Sequence, residues 1–92
     1  MIHVEYKSFM RAGEKIGWIA ENEIYDKTGQ KLGYFQGNDI FDAQGNKVAW
    51  IAGSHVHTVS GQRFSFEDNR KVIEGGLISN EERAVARIFF GE

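Results

Sequence analysis

His55 and His57 are the residues of this 92-residue chain best suited to metal chemistry, because two positions apart on a β-strand both imidazoles face the same way. Cysteine is absent and His3 is the one other histidine, so the pair lacks a third ligand at short range. A second set of candidates recurs every 16 residues: Lys15, Lys31, Lys47 and Arg63. Gathered around an axis, they would form a ring of positive charge able to hold a phosphate or an anionic headgroup. Trp18, Tyr34, Trp50 and Phe66 share that period and could line an apolar cavity or face a bilayer interface.

What positions these side chains is an internal repeat. Gly13, Gly29, Gly45 and Gly61 are 16 apart, and aligning on them brings other columns into register without gaps. After each glycine come a cation, an apolar residue (Ile16, Leu32, Val48, Phe64), a small residue (Gly17, Gly33, Ala49, Ser65) and an aromatic. Further on, Ile24, Ile40, Val56 and Val72 precede Tyr25, Phe41, His57 and Ile73, and then Asp26, Asp42, Thr58 and Glu74. Self-similarity at a fixed period means one supersecondary unit used repeatedly, each copy burying its apolar face against its neighbours.

Alternation over Lys15 to Ala20 and over Glu23 to Asp26 predicts two short strands per unit. They are joined by two-residue connectors, Glu21-Asn22, Gly37-Asn38 and Gly53-Ser54, of which the last two suit a tight primed turn. The expected organisation is a single domain, 1–92, with hairpin repeats over 13–28, 29–44, 45–60 and 61–76. The fourth copy is degenerate, since Glu67 stands where the others have Ile19, Phe35 and Ile51, and its turn falls on Asn69-Arg70. An N-terminal strand is predicted over about 2–8. Ser79-Asn80-Glu81-Glu82 fits a capping box and predicts a C-terminal helix over about 80–90, with a strand over 84–90 as the competing reading.

With two-residue connectors, Ile19 lies opposite Ile24 and Trp18 opposite Tyr25, so the two pairs point to opposite faces. One face carries Ile16, Trp18 and Tyr25 with their equivalents, and the other the small column with Ile19 and Ile24. Two partly apolar faces favour a ring or shallow barrel with a filled interior, whose closure removes unpaired edges. The expected fold class is therefore all-β: a pseudo-fourfold shallow barrel of four β-hairpins, plus an N-terminal strand and a short C-terminal helix. The small column suggests backbones or rings converging where a larger side chain would not fit.

The units of glycine, cation, apolar, small and aromatic residue, ending in Ile-aromatic-Asp, resemble the four-fold β-flower family over about Gly13 to Gly75. The resemblance implies a shallow barrel of radiating hairpins, in a family without an assigned activity and with no catalytic residues to carry over. Its barrel is similar to that of Tubby-type lipid-binding domains, which makes a lipid role an analogy of fold.

The period also supplies a structural account of each candidate. The four cations can pair with Asp26, Asp42 and Glu74; the aromatics can be core; His57 and His55 occupy the columns of Tyr25 and Glu23. The departures from the period, His55, His57 and Glu67, are thus the positions to inspect. A net charge of -2 argues against bulk attraction to nucleic acid, although interleaved aromatics and cations keep a single-strand platform in view. No catalytic constellation, cofactor motif or phosphate-cradling loop is evident. The expected function is a non-enzymatic binding or interaction module for lipid, a small apolar ligand or a protein partner. A self-assembling structural subunit, and then a metal-dependent enzyme using His55 and His57, are the alternatives. No apolar run is long enough to span a membrane, and Met1 to Tyr6 lacks the apolar region of a secretory signal, so cytoplasmic is the default location.

Overall fold

The computed structural model describes residues 1–91. Ten strands form one sheet: β1 (Ile2–Glu5), β2 (Ser8–Arg11), β3 (Glu14–Ala20), β4 (Glu23–Asp26), β5 (Lys31–Gln36), β6 (Asp39–Asp42), β7 (Lys47–Ala52), β8 (His55–Thr58), β9 (Arg63–Ser65) and β10 (Ile73–Gly75). Helix α1 (Phe66–Val72) joins β9 to β10, and helix α2 (Asn80–Phe90) follows. Neighbours along the sheet run β10-β1-β2 and onward in sequence to β9, all antiparallel except β10 with β1.

Each hairpin buries one face. Ile19 pairs with Ile24, Phe35 with Ile40 and Ile51 with Val56, and Ile24, Ile40 and Val56 have no solvent exposure. Full burial of one such side chain stabilises by roughly 1.5–3 kcal/mol. Ala84, Val85 and Ala86 of α2 belong to the same core cluster, so the sheet curls around this helix. The small column makes the space. A Cβ added to Gly33 would lie 2.3 Å from Phe89 Cζ and 2.4 Å from the Phe41 carbonyl oxygen. At Gly17 the same addition meets Phe90 Cζ at 2.5 Å and the Tyr25 carbonyl oxygen. The rings that converge on the small column are those at the end of α2.

The hairpin turns adopt positive φ at their first central residue only, which is the type II′ pattern: Gly37 and Gly53 at 61°, Glu21 at 57° and Tyr6 at 60°. The longer connectors are alike in another way. The Gly29 N–H donates to the Asp26 carbonyl at 3.0 Å, the Asp26 N–H donates to the Gln30 carbonyl at 2.9 Å, and Gly29 takes φ 89°. That is a type I turn followed by a left-handed glycine, repeated at 42–46 and 58–62.

The all-β barrel of hairpins expected from the repeat is what forms, with four corrections of detail. First, residues 2–8 are not one strand: the chain turns at Tyr6-Lys7, and β1 and β2 form a complete hairpin. Val4 pairs with Phe9 as Ile19 pairs with Ile24, a step of 15 rather than 16, which hid this copy from the alignment. Second, the unit 61–76 is not a hairpin. Ser65 accepts a hydrogen bond from the Asp68 N–H at 3.0 Å, Glu67 and Asp68 lie in the first turn and Arg70 and Lys71 in the last, a pattern that favours a helix at 66–72. Third, the ring is not closed by strand pairing: α1, about 10 Å long at 1.5 Å per residue, spans the seam between edge strands β9 and β10. Fourth, register shifts at Phe9/Met10, Ile24/Tyr25 and Ile40/Phe41 break the alternation, so Ile16, Leu32 and Val48 pack against the core rather than beside the outer aromatics. The C-terminal segment is helical from Asn80, with Ser79 and Glu82 completing the capping box.

Candidate functional site

On the outer face, strand register lines residues into rows. Glu23 lies opposite Tyr34, and Tyr34 opposite Phe41; one hairpin on, Asp39 lies opposite Trp50, and Trp50 opposite His57. The rings stack: Trp18 on Tyr25 at 5.5 Å, Tyr34 on Phe41 at 5.1 Å, and Trp50 on His57 at 5.4 Å between centroids. A lysine covers each row. Lys15 stands 4.9 Å above Trp18, Lys31 4.8 Å above Tyr34 and Lys47 5.4 Å above Trp50.

Two of these lysines also reach an acid on the preceding strand, Lys31 to Glu23 at 2.7 Å and Lys47 to Asp39 at 3.1 Å. The lysine therefore lies on the side of the ring toward the preceding strand, and the second aromatic lies on the other side. Both faces of Tyr34 and Trp50 are thus occupied. The Lys31 ammonium, together with a hydrogen bond from the Tyr25 hydroxyl, holds the Glu23 carboxyl below its ordinary range. Reciprocally, Glu23 pushes Tyr25 and Lys31 up. The lysines sit on separate hairpins, each over its own ring.

The fourth row is different. Its cation, Arg63, is exposed and lies opposite His57. His55 stands where Glu23 and Asp39 stand in the other rows, opposite Ser65. Phe66 is the first residue of α1, partly buried, and Ile73, which holds the column of Tyr25 and Phe41, is buried in β10. Among the described residues Arg63 and His55 form no ion pair, and Phe66 has no ring partner.

Two depressions border this irregular unit. One, about 680 Å³, is lined by Ser54, His55, Ser65, Phe66, Glu67, Arg70 and Asn80. The other, about 520 Å³, lies where the 58–62 connector meets the end of α2; there the Arg87 guanidinium stands 4.8 Å over Phe64 and donates to Asn69 Oδ1 at 3.3 Å. Of the positions singled out from sequence, His55 and Glu67 come together in the first depression with Phe66, while His57 is taken up by Trp50. Among the described residues no group of three histidine, cysteine or carboxylate side chains could hold a metal. Ser54, Ser65, Arg70 and Asn80 are site residues that the periodicity concealed. The available signal was local, the helix-favouring run Ser65 to Lys71 inside an otherwise hairpin-forming repeat.

The architecture defines a class: a hairpin-repeat barrel plugged by its own C-terminal helix. The 4-fold beta flower protein family matches residues 3–83, and the chain belongs to that family. No curated protein and no solved structure matches it. No helix among the described residues is long and apolar enough to cross a membrane.

Proposed function

We propose that this chain is a non-enzymatic binding module whose recognition surface is the irregular fourth unit, centred on the depression beside His55. The observation that supports this reading is the contrast in satisfaction. In the second and third rows acid, lysine and two rings complete one another, whereas the fourth row lacks both its acid and its second ring. An apolar ligand in the lumen is disfavoured because α2 fills it with Val85, Phe89 and Phe90. The hydroxyl of Ser65 is committed to capping α1, which weighs against its use as a nucleophile.

The test is residue-resolved NMR of the full chain against a panel of small molecules and against liposomes with and without anionic lipid. Shifts concentrated at 54–55 and 65–70 are expected. Shifts confined to the rows of Trp18, Tyr34 and Trp50, or none with any probe, would overturn the reading.

A further inference from the structure

The intact rows specify what the fourth row lacks. In rows two and three a cation is held by a carboxylate from the preceding hairpin (Lys31 by Glu23, Lys47 by Asp39), and the aromatic beneath it is covered by a second, nearly parallel ring, with interplanar angles of 17° and 13°. In row four the columns of the cation and the first aromatic hold Arg63, opposite His57, and Phe66, the first residue of α1, while the carboxylate has become His55 and the place of the second ring is taken by the buried Ile73. The places left are one anion and one planar ring. The depression of about 680 Å³ lies there, with Phe66 in its wall and His55, Arg70 and Ser54 as donors around it.

Resting on the binding-module reading above, we propose that this site takes an aromatic carboxylate. The ligand's ring covers Phe66, and its carboxylate lies beside the acid column, between Arg70 and the His55 imidazole. The ligand thus completes between molecules a clasp that the other rows make within the chain. Charge-assisted hydrogen bonds from arginine to a carboxylate are among the stronger polar contacts, and an offset ring pair contributes beyond its buried area. Glu67 lines the same depression and opposes an anion, so it tempers affinity.

The deciding experiment titrates the labelled full chain with phenylacetate, cyclohexylacetate and phenylacetamide, following the amides of 54–55 and 65–70. Phenylacetate is expected to bind at least about tenfold more tightly than the analogue without the ring or the one without the charge. His55→Asp restores the acid column and supplies the missing anion from within. It should abolish phenylacetate binding while leaving the thermal midpoint at or above that of the parent, since Glu23 and Asp39 are accommodated in that column. Glu67→Gln should tighten binding. If phenylacetamide or cyclohexylacetate binds at the seam as well as phenylacetate, or if His55→Asp binds undiminished, the ligand assignment fails and the binding surface stands. If no probe moves these amides, both fail.

Discussion

The three regular units and the fourth share the same columns of residue types, yet the columns have different physical roles in the two regions. In the regular units the small column is a clearance: Gly17 and Gly33 admit the Phe90 and Phe89 rings against backbone carbonyls. In the fourth, the same column holds Ser65, whose hydroxyl caps a helix. Likewise Lys31 and Lys47 are consumed by a neighbouring acid and ring, whereas Arg63 is not. A repeated residue is structural where both flanking copies are present, and becomes available where one of them has changed.

The sharpest way to break this comparison is to place one methyl group in each region. Gly33→Ala meets Phe89 and the Phe41 carbonyl and should cost about 3 kcal/mol in urea denaturation. Phe89→Ala added to it should recover only part of that loss, because the Phe41 oxygen stays in the way and the cavity has its own cost. Ser65→Ala, in the same column, adds no clash and removes a cap, so a loss of about 1 kcal/mol is expected. Equal losses at the two positions would refute the distinction.

The turns offer a smaller contrast in the opposite direction. Glu21 holds φ 57° at the position that is glycine in the next two hairpins. Glu21→Gly should therefore stabilise the fold by up to about 1 kcal/mol, read as a higher urea midpoint with an unchanged slope. Gly37→Ala, in the equivalent place, has open space around it yet should destabilise because of its φ of 61°.

Acid should separate the connectors most subtly. Hydrogen bonds from Thr28 hold Asp26 below its ordinary range, and the Asn46 N–H does so for Asp42, while the third connector uses the Thr58 hydroxyl to accept from the Gln62 N–H. A carboxyl whose folded-state pKa is depressed contributes stability fully above its unfolded value near 4, and that contribution fades as pH falls through the lower folded value. Replacing Asp26 and Asp42 together by asparagine should lower the neutral-pH urea midpoint slightly and flatten its decline below about pH 4, because the amide lacks the contribution at every pH. A decline as steep as the parent's would place the acid sensitivity elsewhere.

Much of the fold was legible because alternation and a fixed period report on local backbone. The strand pairs of units 13–28, 29–44 and 45–60 follow from the registers of Ile19 with Ile24 and Trp18 with Tyr25, and the helix at Asn80 from Ser79 and Glu82. The N-terminal hairpin was hidden by a connector one residue shorter than the others. The fourth unit keeps the columns of a hairpin yet folds as a helix, because the cap at Ser65 and the charge order of Glu67 to Lys71 act locally and outweigh them. Of the candidate site, His55 and Glu67 could be marked as departures from the period, but no periodicity brings Arg70 and Asn80 to them; two helices do that.

By itself the sequence determined the hairpins, their two faces and membership of a fourfold repeat, because these depend on residue type and spacing within about 16 positions. Which face is inside was decided by the tertiary structure. Both faces carry apolar residues, and only the seating of α2 against Gly17 and Gly33 makes one of them concave and dry. The same step settled the fate of the cations and aromatics, since whether a lysine is occupied depends on an acid one strand away and on a ring from the next hairpin. Those neighbours exist for Lys31 and Lys47 and not for Arg63: residue 55 is histidine where the other rows have an acid, and α1 across the seam carries the chain into the core at Ile73 instead of returning it as the second strand of a hairpin.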